Sequence, residues 1–459
     1  MKFSSIVRPA ALLAVCILVR PSIAQETRDP DLPRRAFLGA ALEPTPDDSG
    51  ARVLSVFPGS SADAIGLEAG DVVTQLGDQP VSSPATLIDL LSAHRAGERI
   101  AVSVTRGDEQ LDKTATLVEF PRETIDSCEV IYDSVPTVDG GWLRTIVTRP
   151  LPDDAENANP DRVYPAILMI QGVGCASIDQ PFEDRRDPFV VLCHELAKHG
   201  IVTMRVDKSG LGDSTGMPCS ELDLLNEMEG YRNAMLSLAT EYPFVDDMRL
   251  FIFGHSMGGV MAPRIAEDIG VRGIAVFGTI GRNFYEYLIE NVRRQHRVNN
   301  IDLVDQDNRQ QVLQEFMARI LFDQLTPAEV FATAPHLVSV DRSFLDDTHL
   351  WGRHASFWHQ LQALPIAGGW QQLGPRTRVL AIHGEYDWVS DPVEHREIVR
   401  IANFTTPGHA EFLSLPRTDH AFTTHPSIEA TIGSVGQGEF SQSVVVAILN
   451  WMDEAVSWD

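Results

Sequence analysis

The sequence predicts an α/β chain: a parallel sheet covered by helices on both faces, preceded by a small, mainly β domain with one helix. Three observations predict it. From Ala166 onward, apolar runs of strand length alternate with helical patterns, the order that builds βα units. Between residues 36 and 120, short β-like runs alternate with turns. A strand–turn–helix passage is centred on Gly254-His255-Ser256-Met257-Gly258, with a glycine on each side of the serine where a Cβ would crowd the turn.

The 459 residues leave room for two or three domains. The formal net charge of −27 and the lack of a long basic patch make nucleic acid and anionic membrane surfaces poor partners. Residues 1–24 read as a secretory signal peptide. Lys2 and Arg8 give a basic start, Ala10 to Val19 an apolar run, and Ser22-Ile23-Ala24 a small-x-small cleavage site. That run is too short to span a bilayer, and no other stretch is apolar enough. The expectation is an exported protein, periplasmic or secreted, with no transmembrane anchor after signal removal. Cys128, Cys175, Cys193 and Cys219 then remain, without a C-x-x-C or a zinc spacing.

Residues 25–35 read as a linker rich in Pro, Arg and Asp. In residues 36–120, Ser83 to Ala93 has the pattern of one amphipathic helix and Arg99 to Arg106 that of an alternating strand. With Gly66-Leu67-Glu68-Ala69-Gly70-Asp71 this segment resembles a bacterial PDZ domain. The resemblance implies a groove between a strand and a helix. The Phe37-Leu38-Gly39-Ala40 loop would offer backbone N–H groups to a peptide's C-terminal carboxylate, and the peptide would add as a strand. A domain serving only as a spacer is the other reading.

In residues 121–459, a hairpin around Asp139-Gly140-Gly141 precedes the βα units. The sheet pattern and the G-x-S-x-G turn together resemble the α/β-hydrolase fold, across essentially all of this region. The resemblance implies a Ser-His-Asp set whose acid and base follow the serine in that order. Ser256 takes the nucleophile's place. Asp387, in the loop after the strand Val379 to Ile382, resembles the family's acid in the run Gly384-Glu385-Tyr386-Asp387-Trp388-Val389 and is chosen over Glu385 or Asp391. His420, after the strand Glu411 to Leu415, takes the base's place. The oxyanion hole would draw on the N–H of Met257 and on the loop Gln171-Gly172-Val173-Gly174, where Val173 is favoured and Gly172 stays open. Cys175 and Cys219 follow strands that this fold makes neighbours at the catalytic edge, so a disulfide between them would brace that loop. The turn Asp207 to Ser214 resembles the fold's D-x-x-G-x-G-x-S turn and is assigned no chemistry.

Residues 281–375 are too long for a loop and carry helical patterns, as at Arg309 to Leu325. They sit where this fold accepts a cap. Trp351, Phe357 and Trp358 are candidates for an apolar substrate pocket; packing the cap onto the core is the alternative. His349, His354 and His359 do not share a helical face, so no metal site is expected, and no cofactor is implied. The favoured function is an exported serine hydrolase cleaving esters through an acyl-enzyme. A prolyl-oligopeptidase-like peptidase or amidase is the second reading. A PDZ adaptor with a non-catalytic hydrolase scaffold is the third.

Overall fold

The computed structural model describes residues 32–152, 159, 161–267 and 269–457. The signal-peptide expectation for residues 1–24 lies outside the described residues.

The C-terminal part of the chain is built on an eight-stranded sheet. Its spatial order is Ala410–Leu415, Arg378–Gly384, Gly273–Phe277, Val245–His255, Tyr164–Ile170, Val202–Val206, Trp142–Pro150 and Cys128–Pro136. Trp142–Pro150 runs antiparallel to both of its neighbours, and the other pairings are parallel. Side chains alternate between faces along each strand, and both faces are apolar. Ala166, Leu168 and Ile170 enter one core with Ile252, Ile274 and Val276. Ile167 and Met169 enter the other with Phe251, Phe253 and Phe277. The helices Leu224–Thr240, Met257–Ala266 and Pro392–Thr405 cover the first face. Pro188–Lys198 and Gln442–Ser457 cover the second. This is the doubly covered sheet that the sequence predicts, and an α/β-hydrolase fold.

Two predicted boundaries move for local reasons. The strand that leads into the serine turn runs from Val245 to His255, longer than its apolar run Leu250 to Phe253 indicates, because its first half carries the polar run Asp246-Asp247-Met248-Arg249. The cap helix expected from Arg309 to Leu325 spans Leu303–Leu321, because Asp302 caps it through the amides of Val304 and Asp305.

The cap contains the helices Phe284–Val298, Leu303–Leu321, Pro327–Thr333, Ala355–Ala363 and Ile366–Gln371, and a small hairpin of His349–Leu350 with Arg353–His354. Its buried apolar residues, Phe316, Ile320, Phe357 and Trp358 among them, join the first core.

The small domain has its own core. Ala40–Pro44 is an edge strand of its six-stranded sheet, paired to Ala51–Val56 on one side. The helix Pro84–Ser92 packs against both of these strands. Residues 32–35 are not the free linker the sequence suggests. Arg34 is only 2% exposed. Its guanidinium donates to Asp179 at 2.8 Å and Asp213 at 2.5 Å, and to the carbonyls of Phe120 and Pro121. A second layer of this junction is aromatic: Phe182 of the larger domain lies 5.0–6.1 Å from the rings of Phe37, Phe57 and Phe120.

Candidate active site

The strand Val245–His255 ends in a turn that only its glycines permit. A Cβ on Gly254 would lie 2.6 Å from Gly259, and one on Gly258 would lie 2.3 Å from the Ile170 carbonyl oxygen. Between them Ser256 has φ 51° and ψ −119°, a conformation that a non-glycine residue holds only where its surroundings enforce it. Its amide donates to the Phe277 carbonyl at 2.9 Å, and the helix Met257–Ala266 starts immediately after it.

Asp387 and His420 come from loops at the tips of adjacent parallel strands, Arg378–Gly384 and Ala410–Leu415. His420 Nδ1 lies 2.9 Å from Asp387 Oδ2, which leaves Nε2 as the free ring nitrogen. Asp387 Oδ1 accepts from the amides of Val389 and Ser390, and Oδ2 also accepts from the Ser390 hydroxyl at 2.8 Å. Burial alone would raise this carboxyl's pKa; the His420 charge and the hydrogen bonds outweigh it and hold the group well below the usual carboxylate range. His420 is the converse. Burial disfavours its cation, but the charge and hydrogen bond of Asp387 prevail and the imidazole pKa lies above its ordinary value.

His255 is a supporting residue. Its Nε2–H donates to the His420 carbonyl at 2.9 Å. Burial, with the His420 charge, pushes its pKa down to about 3, so it stays neutral. Gly278, which the sequence reading missed, has φ +64°, and a Cβ there would come within 2.8 Å of the His420 ring. Asp419, next to His420 in the chain, accepts from Ala421, Thr423, His425 and Gly436 and so organises the loop that carries His420.

Gly172 abuts the serine: a Cβ built on it would be 3.2 Å from Ser256 Cβ and 3.6 Å from Oγ. A disulfide joins Cys175 to Cys219 just beyond this loop. Cys193 is a buried thiol whose pKa burial pushes up to about 12. The turn that follows Val202–Val206 does more than the sequence indicated. Lys208 Nζ donates to the carbonyls of Gly172 at 2.6 Å and Gly174 at 3.1 Å.

The expected substrate pocket changes. Phe357 is fully buried beneath the Arg353 guanidinium, and Trp358 stacks on Phe284 and donates to the Leu350 carbonyl. Phe357 has no accessible surface and so lines no space that admits even a water, and Trp358 is only 3% exposed with its ring and N–H already partnered, so both side chains pack the cap. Trp351 is exposed, stacked on Phe344 at 4.7 Å.

In the small domain, the four loop residues separate. The Phe37 ring turns into the aromatic junction. The carbonyl of Leu38 accepts from Ala62 and that of Gly39 from Phe57. Across each trans peptide unit the N–H of Gly39 and Ala40 therefore points the opposite way, at the start of the edge strand. Gly39 needs φ +84°, where a Cβ would strike Ser60 at 2.1 Å.

Among the described residues no group of three or more His, Cys, Asp or Glu is placed to hold a metal ion, and no helix is long and apolar enough to cross a membrane.

Comparison with known proteins agrees with this architecture. Residues 36–117 match the PDZ domain family model, and residues 186–282 match the family model described as serine aminopeptidase, S33. The chain therefore carries a PDZ domain N-terminal to a domain of the α/β-hydrolase fold. Over 81 residues it is 32% identical to the periplasmic serine endoprotease DegP of Escherichia coli K12 and to that of Salmonella typhimurium. That match covers 18% of this chain and 17% of each relative's length. Among solved structures it is similar to the hypothetical protein PA2218 from Pseudomonas aeruginosa, with TM-score 0.44 and 15% identity over 73% of this chain and 96% of that one. It is also similar to a hyperthermophilic esterase from Pyrobaculum calidifontis, with TM-score 0.39 and 16% identity over 73% and 87%.

Proposed function

We propose that this chain is an exported serine hydrolase that cleaves carboxylic esters. Ser256 Oγ attacks the ester carbonyl while His420 Nε2 takes its proton. Asp387 holds the imidazole by Nδ1 and stabilises the imidazolium. The N–H groups of Met257 and Val173 receive the oxyanion. Collapse of the tetrahedral state expels the alcohol, which His420 protonates. Water then attacks the acyl-enzyme by the same route and releases the acid. One observation carries this reading: an imidazole bonded through Nδ1 to a carboxylate saturated with donors, in the same site as a serine held at positive φ. The pattern of residues 1–24 supports export. The edge strand Ala40–Pro44 beside the helix Pro84–Ser92 supports recruitment of a peptide C-terminus by strand addition.

A second reading is an aminopeptidase, favoured by the S33 family match over residues 186–282. A panel of p-nitrophenyl esters set against aminoacyl and peptidyl p-nitroanilides separates the two. The ester reading predicts kcat/KM at least about 100-fold higher on the best ester, a difference of roughly 2.7 kcal/mol in transition-state binding. Anilide turnover equal to or above ester turnover overturns it.

A further inference from the structure

Three charged side chains from distant parts of the chain meet behind the loop that abuts Ser256. Lys208 lies just after the strand Val202–Val206. Glu227 lies in the first turn of the helix Leu224–Thr240. Arg353 comes from the cap hairpin. All three are buried. Glu227 pairs with Lys208 at 3.0 Å and with Arg353 at 2.6 Å. The two cations then reach the same backbone. Lys208 takes the carbonyls of Gly172 and Gly174, and Arg353 Nη1 takes the carbonyl between them, Val173, at 3.1 Å. The other arm of the Arg353 fork bonds Glu227 and the Leu222 carbonyl.

Three consecutive carbonyls are thus fixed by two cations. In a trans peptide the C=O and the following N–H point in opposite directions. The N–H groups of Val173, Gly174 and Cys175 are therefore turned away from the cluster, and Gly172, at the start of this run, touches the serine. Successive N–H groups presented together make an anion-binding concavity. Two cations and one carboxylate leave a net positive charge behind it, which favours a developing oxyanion. Packing alone does not call for this arrangement, because apolar side chains of equal volume fill a core without the desolvation cost of three ions.

We propose that Lys208, Glu227 and Arg353 are positioning residues that aim the oxyanion-hole amides, so that the hole is complete only when the cap is docked. This rests on the serine-hydrolase reading given above. Each single neutral substitution, Lys208→Met or Arg353→Met, leaves Glu227 paired with the remaining cation.

The test compares both variants with wild type, counting active sites by fluorophosphonate titration. Per titrated site, kcat on a p-nitrophenyl ester should fall about 100-fold in Lys208→Met and about tenfold in Arg353→Met, below the full loss of an oxyanion donor, with KM within about twofold. The inhibition constant of a trifluoromethyl ketone, whose adduct carries the oxyanion, should rise by the same factor as kcat/KM falls. Amide exchange in a peptide spanning 171–175 should also accelerate. Wild-type turnover per titrated site, or a raised KM with kcat intact, overturns the proposal, as does unchanged exchange of these amides. Absence of labelling in wild type overturns the hydrolase reading instead, while the exchange measurement still judges the cluster.

Discussion

Two buried ionic clusters grip the segment from Gly172 to Asp179, and they differ in what they hold. On the cap side, Lys208 and Arg353 spend their donors on main-chain carbonyls next to the serine. On the N-terminal side, Arg34 and Arg144 bond the side chains of Asp179 and Asp213, and their remaining donors go to the carbonyls of Phe120, Pro121, Asp133 and Leu32, none of them next to the serine in the chain. Tyr132 also bonds Asp179 at 2.8 Å. The first cluster fixes peptide orientation at the reacting centre. The second fixes where the PDZ domain sits on the catalytic domain, several residues past the Cys175–Cys219 disulfide. A buried charge spent on backbone beside a nucleophile acts on rate, whereas one spent on a distant carboxylate acts on stability and domain geometry.

The largest expected effect sets the scale for that contrast. Asp387→Asn should lower kcat by about 10⁴-fold, the size expected when the imidazole loses its orienting carboxylate. In wild type, activity should rise as His420 loses its proton, and Asp387 raises that pKa, so the acid limb of kcat/KM should lie above the ordinary histidine range. In Asp387→Asn burial remains, opposed only by the weaker influence of the Asp419 charge, and the limb should move to lower pH. A limb that stays in place would detach His420 from Asp387.

Next comes the N-terminal cluster. Arg34→Met leaves Asp179 and Asp213 short of a partner and should cost roughly 3–5 kcal/mol of stability in denaturant unfolding. Turnover per titrated site should change little, in contrast with Arg353→Met. A large loss of kcat with unchanged stability would erase the distinction between the two sides.

The disulfide lies between them. The paired change Cys175→Ser with Cys219→Ser should cost about 2–4 kcal/mol, chiefly by freeing the unfolded chain. An unfolding midpoint unaffected by the change or by a reductant would contradict that.

For a single group over one pH unit, the smallest effect is a pH dependence. Burial pushes the pKa values of His194 and His395 down to about 4. Both are neutral in the folded protein between pH 4 and 6.5 but charged when unfolded, so the unfolded chain binds more protons there. Stability should therefore fall as pH drops from 6.5 toward 4, by up to about 1.4 kcal/mol per pH unit for each group. His194→Gln should flatten part of this slope in thermal melts. An unchanged slope would argue that His194 already titrates near its ordinary value.

Legibility in the sequence follows the same division. Ser256, Asp387 and His420 each sit in a short motif at a strand tip, so local pattern locates them. The two sheet faces were legible because apolar strands alternate with helices of matching length. Lys208, Glu227 and Arg353 form no motif together: the first sits in a turn to which the sequence assigns no chemistry, and the last is 145 positions away from it in chain numbering. Their meeting is a tertiary fact. Arg34 was hidden for the opposite reason, since a run rich in Pro, Arg and Asp has the composition of a linker whether or not it is buried. Trp358 and Phe357 carried the right chemistry for a pocket, and only their zero or near-zero exposure assigns them to packing.

The most direct test of the site is fluorophosphonate labelling of the full chain beside hydrolysis of a short p-nitrophenyl ester, in wild type and Ser256→Ala. Wild type should label at one site per chain, on the peptide carrying Ser256, and hydrolyse the ester, while Ser256→Ala should do neither. An unlabelled wild type, or equal labelling and turnover in Ser256→Ala, would contradict the assignment of Ser256 as the nucleophile.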